Sequence, residues 1–467
     1  MGDPIPFGYI QCCLPNISPK LCKSKEIYAI LPAMNWRRIA QLSLVHVGVS
    51  ITVVPVTSTL NRVMIADLGM SALLVSLLIA LPYLLSPLQV PVGAWADRNP
   101  IGGRYRTPWI VLGGLMAATG SYFTAHAAYW IDANFWPGLL AALVAFAVWG
   151  MGVNIASVSY LSLVTDLADE NGRSRAVSVM WTAMILSTIF VSLGISRLVD
   201  PYTVQALYTA FGAVWFVAII FVLAGAYGLE PRASAQDAPV HHSADSPAQA
   251  MRLLALNPVA RRFFVYLVLV LVSIHAQDVL LEPFGAEAMG MPVAATSRLT
   301  SIWGVGVLLT LLGSLPLVRR IGKKRSANIG AFVAAAAFGL ISLSGWMGLT
   351  SLFWGAVFLL GLGGGLMTVS NLSFMLDMTL PQAAGLYVGA WGVANFAGQA
   401  IGNVMSGLLR DFFLWLTGAP LVGYIAVFGM EIVGLLVAVW LFRSIEVADF
   451  RRQAETRLQD ILSLAGD

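Results

Sequence analysis

Three ionisable side chains share one apolar segment of the chain, residues 262–284. His275, Asp278 and Glu282 follow one another at spacings of three and four, which places them on one face of a helix, with Gln277 beside them. Ionisable groups inside a bilayer are costly to bury and usually have a function. A neutral imidazole can ligate a metal, so His275 is a candidate ligand. A charged helix end solvated by lipid headgroups is the alternative.

The two carboxylates of this segment have candidate basic partners. Asp278 and Glu282 could pair with Arg62 or Arg298, because all four residues are expected near the same membrane face. Such pairs would form a gate at the mouth of a central cleft. Pro283 follows Glu282 directly, and we expect the helix to break or bend there because proline removes a backbone donor.

Other polar residues interrupt the apolar segments one at a time. Interhelical hydrogen bonding is the default explanation for them, and contact with a pigment or substrate in a cleft is the alternative. Asn395, Gln399 and Asn403 follow one another at spacings of four and form one polar stripe. Glu431 could carry a proton or stay buried and neutral. The remaining candidates for contact with a pigment or substrate are His46, Asn154, Asn371, Asn395 and Gln399.

The composition predicts a polytopic α-helical membrane protein. Hydrophobic residues make up 58% of the 467 residues and charged residues 11%, against about 25% charged in a soluble domain. This balance excludes a soluble enzyme and a disordered scaffold. A bilayer-spanning helix needs about 20 apolar residues, and the charge-free runs predict twelve spans: 39–60, 71–95, 108–128, 138–165, 176–199, 206–228, 262–284, 295–317, 327–346, 351–376, 386–409 and 421–442.

The distribution of basic residues predicts the orientation. With the N-terminus in the cytoplasm, 23 of the 27 Lys and Arg residues fall in cytoplasmic segments, as the positive-inside rule requires. An even number of spans then places both termini in the cytoplasm. We expect a multi-pass protein of an inner membrane, either the cytoplasmic or a photosynthetic one. The basic residues form no nucleic-acid patch.

The chain divides into two similar halves. Asp166 precedes Trp181 by 15 residues, and Asp377 precedes Trp391 by 14, which indicates an internal repeat. An Ala-, Ser- and Pro-rich stretch between the halves is typical of a flexible linker. The expected divisions are an N-terminal extension or misassigned start (1–35), a first bundle (36–228), the linker (229–261), a second bundle (262–443) and an amphipathic tail (444–467). The N-terminal extension contains Cys12, Cys13 and Cys22, to which we assign no metal site.

A basic turn follows the second predicted span. It begins at Gly93 and has an acidic–basic pair followed by glycines and two arginines, and it resembles the loop motif of the major facilitator superfamily. An insertion at 99–101 and Tyr105 between the arginines depart from that motif. The resemblance implies a major-facilitator-like fold of two six-helix bundles. It also implies that Gly93 allows close helix approach and that Asp97 lies near a helix N-terminus and an arginine of a neighbouring span, in an ion pair that latches the cytoplasmic side. The candidate gating and loop-motif residues are Arg62, Gly93, Asp97, Arg98, Gly102, Arg104, Arg106 and Asp166, with Asp377 as the counterpart of Asp166 in the second half.

A narrower resemblance covers residues 36–443. The segments 60–65, 277–285, 106–108 and 165–167 resemble signatures of the PucC-like branch of that superfamily, the bacteriochlorophyll delivery group. This resemblance implies an assembly factor that delivers or shields (bacterio)chlorophyll as cargo, with no tightly bound cofactor. It also implies light-harvesting antenna polypeptides or bacteriochlorophyll synthase as partners, besides the lipid bilayer and a second copy of the chain.

Three functions therefore stay open. The first is the assembly factor, in which the chlorin magnesium would be ligated by His275 or His46. The second is a secondary transporter of a small amphipathic solute, coupled to protons through Asp278, Glu282 or Glu431. The third is a membrane subunit that holds a pigment synthase without chemistry of its own. No catalytic motif is present in the sequence, so we do not expect an enzyme.

Overall fold

The computed structural model describes residues 35–231, 257–379, 384–450 and 452. The predicted N-terminal extension, most of the predicted linker and most of the predicted tail lie outside these residues. The same holds for the side chains of Asp97 and Arg98 in the loop motif.

The described part of the chain is helical, as the composition predicts. We number the α-helices in chain order, and short stretches of tighter or wider turns join several of them. They are α1 Trp36–Ser50, α2 Ala72–Leu84, α3 Gln89–Arg98, α4 Thr107–Ala133, α5 Phe135–Leu167, α6 Glu170–Leu198, α7 Val204–Ala226, α8 Pro258–His275, α9 Leu281–Glu287, α10 Val293–Ser297, α11 Leu299–Ile321, α12 Lys323–Met347, α13 Thr350–Asp377, α14 Ala384–Thr417 and α15 Pro420–Phe442.

The chain is a multi-pass membrane protein. Nine helical stretches among the described residues are long and apolar enough to span a bilayer, and the shorter apolar stretch Ala72–Leu88 accompanies them. The predicted count of twelve spans stays a prediction. The nine stretches are Trp36–Asp67, Phe135–Leu167, Gly172–Leu198, Val204–Ala226, Pro258–Val279, Val293–Ile321, Lys323–Met347, Thr350–Asp377 and Pro420–Phe442.

The first span is longer than the sequence predicts. Helical structure starts at Trp36 and continues to Asp67, through wider turns at Pro55–Leu60 and Val63–Asp67. Wider turns of this kind often occur at functional positions. Arg62 therefore belongs to the helix, although the sequence places it in the loop that follows.

Two predicted spans are broken. The second bends at residues 85–88, after Pro82 inside α2 and at Pro87. In the seventh predicted span, α8 ends at His275 and the chain continues through a tight turn to α9. The predicted break at Pro283 is therefore wrong in position. Pro283 lies in the first turn of α9, where the missing N–H would have no acceptor within the helix.

Glycine contacts bring neighbouring helices close together within each half. A Cβ on Gly113 of α4 would lie 2.5 Å from the Ala156 nitrogen of α5, and one on Gly363 of α13 would lie 2.7 Å from the Ala334 nitrogen of α12. Small residues permit such close contact between membrane helices. Two antiparallel helix pairs, α4–α5 and α12–α13, thus have equivalent places in the two halves.

An ion pair at the end of each antiparallel pair joins the sequence motifs that repeat. Arg106 Nε lies 3.3 Å from the Asp166 carboxylate, and Lys323 Nζ lies 2.7 Å from the Asp377 carboxylate. Each pair links the basic residue that opens or precedes one helix to the aspartate near the end of the next. We call the end of the molecule that carries these two pairs the basic face. The opposite end carries Arg410, and we call it the Arg410 face.

Candidate functional site

The break between α8 and α9 holds three of the predicted polar residues in direct contact. His275 Nδ1 lies 2.7 Å from one Asp278 oxygen, and Gln277 Nε2 donates to the other at 2.6 Å. The side chains of His275 and Asp278 are 29% and 31% exposed, so both are partly accessible at the surface of the protein. Asp278 thus accepts from both neighbours, and the contact fixes the orientation of the imidazole.

The N-terminal half contributes to this site through Asn61. Asn61 Nδ2 donates to the Val279 carbonyl at 3.0 Å and to the Asp278 carbonyl at 3.4 Å. The broken helix leaves such carbonyls without intrahelical partners, and inside a membrane they need another donor. Asn61 was not predicted as a site residue, although it lies in the 60–65 segment that resembles the family signature.

Two buried carboxylates lie next to the same break. Glu282 is 4% exposed and accepts a hydrogen bond from Thr300 Oγ1 at 3.0 Å. Glu431 of α15 is fully buried and faces the backbone N–H of Gln277 in the break, with no side-chain hydrogen-bond partner among the described residues. Asp278 acts electrostatically on Glu431. The break therefore collects three acidic side chains from α9, α15 and the connecting turn.

The predicted pairing of Asp278 and Glu282 with Arg62 and Arg298 is not the pairing in the structure. Arg62 forms an ion pair with Asp67 and donates to the Met291 carbonyl at 3.3 Å. Arg298 Nε donates to Ser196 Oγ at 2.7 Å. The reason for the first difference is the long first helix, which places Asp67 next to Arg62.

A second charged cluster lies at the Arg410 face, about Arg410 of α14. Arg410 pairs with Glu287 of α9 and with Asp411 at 2.9 Å, and Tyr424 donates to Glu287 at 2.8 Å. The Arg410 side chain is only 5% exposed. We call these four residues the Arg410 cluster. Neither Arg410 nor Asp411 was predicted as a site residue.

Asp411 connects the two halves of the molecule. Its carboxylate accepts the backbone N–H groups of Ala72 at 3.1 Å and Leu73 at 2.8 Å, at the start of α2. A helix N-terminus has unsatisfied N–H groups and a partial positive charge, so it attracts a carboxylate. Gly407 lies one turn away, and a Cβ there would be 2.5 Å from the Ala72 carbonyl. Helices α2 and α14 therefore pack closely across the boundary between the halves.

The other predicted contact residues lie apart from the His275 site. His46 is buried, with its ring 5.1 Å from that of Tyr160 and no partner for Nδ1 among the described residues. Asn154 Nδ2 donates to the Pro82 carbonyl at 2.8 Å, and Asn371 accepts from Tyr266 at 2.8 Å. These two asparagines therefore make the interhelical hydrogen bonds that the default explanation predicts.

The predicted stripe on α14 has weaker contacts. Gln399 Nε2 lies 3.5 Å from the Asn395 carbonyl, and both side chains are half-buried. Asn403 is 1% exposed, and its side-chain oxygen has no hydrogen-bond partner among the described residues. The stripe adjoins α8, because Gly402 lies against the Val272 carbonyl.

The loop motif forms a tight turn at the basic face. Gly102 has a φ of 62°, and the Arg104 backbone bonds with that of Ile101. Gly93 does not need to be glycine for packing, since a Cβ there would lie 3.5 Å from Val158, an ordinary contact. The expected close helix approach at Gly93 is therefore wrong.

Glu230 holds this turn in place and was not predicted as a site residue. Its carboxylate accepts the backbone N–H groups of Tyr105 at 2.7 Å, Arg106 at 3.1 Å and Thr107 at 2.6 Å. It therefore caps α4 with a residue at the start of the predicted linker. The contact spans more than 120 residues of sequence, so a local pattern could not reveal it.

The comparisons with known proteins agree with this fold. A family model described as PUCC protein matches residues 59–450. Protein PucC of Cereibacter sphaeroides is 30% identical over 85% of this chain and 89% of its own length. The bacteriochlorophyll synthase 44.5 kDa chain of Rhodobacter capsulatus is 27% identical over 89% of this chain and 96% of its own length.

Solved transporters share the architecture at low sequence identity. A mutant of the nucleoside transporter NupG has a TM-score of 0.67 at 15% identity, over 88% of this chain and all of that one. A POT family transporter in complex with 5-aminolevulinic acid has a TM-score of 0.67 at 14% identity, over 90% of this chain and 99% of that one. These likenesses show a major-facilitator-like fold, and the match over most of the sequence shows that the chain belongs to the PucC family.

Proposed function

We propose that this chain is an assembly factor for photosynthetic light-harvesting complexes, which delivers or shields (bacterio)chlorophyll while antenna polypeptides assemble. Membership of the PucC family supports this function, and so does the relative that is named as a bacteriochlorophyll synthase chain. The partners would be antenna polypeptides or the synthase, in the inner or photosynthetic membrane. The chain would carry out no chemistry of its own.

The His275–Asp278 pair is the structural observation that carries the proposal. A carboxylate that accepts from Nδ1 fixes that nitrogen as the protonated one, so Nε2 has the free lone pair. Carboxylate–imidazole–metal arrangements of this kind are common, because the outer carboxylate orients the ring and makes it more basic. His275 is therefore suited to bind a metal through Nε2.

A chlorin is the metal carrier that we propose for this site. The described residues contain no group of three or more His, Cys, Asp and Glu side chains that could hold a bare metal ion. A chlorin already supplies four nitrogen ligands to its magnesium, so one imidazole completes an axial position. The exposed Phe, Trp and Leu side chains on the membrane-spanning helices would suit an apolar macrocycle.

Proton-coupled transport is the second candidate, and one observation favours it. Glu431 is fully buried with no cation and no side-chain hydrogen-bond donor beside it among the described residues, and Asp278 lies near it. An unpaired buried carboxylate is costly in its charged form, so a proton could enter and leave here as Asp278 changes partners. Uptake of a small amphipathic solute that depends on a proton gradient and is lost in Asp278→Asn would support this function.

The test of the proposed function is the near-infrared absorption of membranes from a strain that lacks the gene. Extracted pigment is quantified in parallel, and the strain is complemented with the wild type, His275→Leu or Trp440→Leu. Trp440 is 69% exposed on α15 and serves as a matched control on the membrane surface. We expect the antenna bands to fall in the deletion strain while pigment is still made, and only His275→Leu to fail in complementation.

Each other outcome contradicts a different part of the proposal. Loss of the pigment itself would favour support of a pigment synthase. Unchanged bands and unchanged pigment would contradict a role in assembly and favour transport. Full complementation by His275→Leu, with bands that depend on the gene, would leave assembly intact and remove His275 from its mechanism.

A further inference from the structure

A second histidine lies among aromatic rings on helices α4 and α7. The His126 ring is parallel to that of Tyr208, with centroids 4.0 Å apart and an interplanar angle of 7°. Tyr122 lies 4.7 Å from His126, and Phe123 lies 6.1 Å from it. Trp215 adjoins Tyr122 at 6.3 Å. We call these five residues the His126 patch.

The hydrogen bond of His126 determines which of its nitrogens can bind a metal. Nδ1 lies 3.3 Å from the Tyr122 carbonyl of the preceding turn. A carbonyl oxygen only accepts, so Nδ1 carries the hydrogen. In the neutral ring Nε2 then has the free lone pair, and no described residue donates to it. Tyr208 and Tyr122 flank the ring, which keeps the imidazole in one orientation.

The His126 patch is partly exposed and includes residues of α7, one of the helical stretches long and apolar enough to span a bilayer. Phe123 is 51% exposed and Trp215 is 37% exposed, and Phe216 beside Trp215 is 60% exposed. His126 itself is half-buried. It lies seven residues before the end of α4 at Ala133, or about 10 Å along the helix from that end. Because α7 is apolar enough to span a bilayer, we expect the patch to border the hydrocarbon region of one leaflet.

We propose that the His126 patch is a lipid-accessible binding site for a magnesium chlorin, separate from the site at His275. The inference rests on the proposed function for its choice of ligand. Its chemistry is that of a single axial nitrogen ligand beside flat aromatic surfaces, which an apolar macrocycle covers well. The position on the membrane surface suits a pigment that arrives from the bilayer or leaves into it.

The experiment measures pigment binding by the purified full-length protein in lipid nanodiscs. Bacteriochlorophyll a is the probe, and bacteriopheophytin a, which lacks the metal, is the matched ligand control. Fluorescence quenching gives the affinity and stoichiometry for the wild type, His126→Leu, His275→Leu and the double variant. Trp440→Leu and empty nanodiscs report binding that does not depend on the histidines.

We expect the loss of His126 to lower the affinity of one site for bacteriochlorophyll a by about tenfold or more, since even outer-shell changes cost a metal site that much. Binding of bacteriopheophytin a should not change. Free imidazole should restore binding to His126→Gly, because it can occupy the space and supply the nitrogen. That rescue separates loss of the ligand from misfolding, and thermal unfolding of each variant checks the fold.

The results separate this inference from the proposed function. If His126→Leu binds bacteriochlorophyll a as the wild type does, or imidazole fails to restore binding to His126→Gly, the His126 patch is not a chlorin site. Antenna bands that still depend on the gene would then leave the proposed function standing. If binding depends on His126 but the bands do not depend on the gene, the site exists and the assembly role is wrong.

Discussion

The two faces of the molecule use their charged residues differently. At the Arg410 face, Asp411 of the C-terminal half accepts from the backbone of α2 in the N-terminal half. At the basic face, the described ion pairs Arg106–Asp166 and Lys323–Asp377 each join helices of the same half. The Arg410 face therefore joins the halves through Asp411, which Arg410 holds by an ion pair within the C-terminal half, whereas the basic-face pairs brace each half separately.

Burial differs between the faces in the same sense. Arg410 is 5% exposed and its partners Glu287 and Asp411 are 18% and 22% exposed. At the basic face, Lys323 and Asp377 are 39% and 33% exposed, and Arg106 and Asp166 are 11% and 48% exposed. Removing one member of a buried ion pair leaves an uncompensated charge, but exposed pairs contribute little. Electrostatic interactions therefore matter more to stability at the Arg410 face, and the predictions below test this contrast in order of expected size.

The largest effect is expected from Arg410→Met. The substitution leaves Glu287 and Asp411 without their shared cation, and we expect the free energy of unfolding to fall by about 3–5 kcal/mol. Denaturant unfolding in detergent micelles measures it. Arg197→Met is the control, because Arg197 is exposed in the last turn of α6. Equal losses in the two variants would show that the Arg410 cluster has no special role in stability.

Gly407→Ala tests the close packing between α2 and α14. The added methyl group would lie 2.5 Å from the Ala72 carbonyl, and overpacking of this kind costs about 1–3 kcal/mol. Gly392→Ala on the same helix meets no atom within 4 Å, so it should not destabilise the protein. Thermal unfolding of the two variants gives the comparison, and equal stability would contradict close contact at Gly407.

Glu230→Gln tests the cap on α4 at the basic face. Three backbone N–H groups would lose a charged acceptor, and loss of a helix cap costs about 0.5–2 kcal/mol. Hydrogen exchange at residues 105–107 should become faster, while exchange at the start of α2 should stay the same. Unchanged protection at 105–107 would show that Glu230 does not hold this turn.

The smallest effect is expected at the Lys323–Asp377 pair. A double-mutant cycle with Lys323→Met and Asp377→Asn should give a coupling energy of about 1 kcal/mol or less, because the pair is partly exposed and screened by water. The coupling should weaken further at high salt. A coupling as large as the loss from Arg410→Met would overturn the contrast between the faces.

Features that depend on local sequence were predictable. The charge-free runs identify the helical membrane fold, and the spacing of His275 and Asp278 places them on one face, although the sequence predicted an arginine as the partner of Asp278. The repeated positions of Asp166 and Asp377 mark the ends of two helices that each carry an ion pair. Each of these features is encoded within a few helical turns, where the periodicity of a helix decides which side chains meet.

Features that depend on distant residues were not predictable in this way. Asp411 meets α2 more than 330 residues earlier in the chain, and His126 stacks on Tyr208 of another helix. The break after His275 precedes Pro283, because tertiary contacts such as those of Asn61 satisfy the open turn. A single sequence shows where polar groups occur along the chain, but the packing of helices determines which of them form hydrogen bonds or stack with one another.

The distance between the two halves, measured at both faces by pulsed electron paramagnetic resonance, tests whether the Arg410 cluster holds them together. After replacement of Cys12, Cys13 and Cys22 by serine, spin labels at Gln205→Cys and Leu416→Cys report the Arg410 face, and labels at Ile101→Cys and Ser444→Cys report the basic face. All four positions are exposed.

We expect one narrow distance distribution at the Arg410 face, which broadens toward longer distances in Arg410→Met and stays narrow in Arg197→Met. The basic-face distribution should not change in Lys323→Met, because that residue braces only its own half. A distribution at the Arg410 face that is the same with and without Arg410 would contradict the claim that this cluster holds the two halves together.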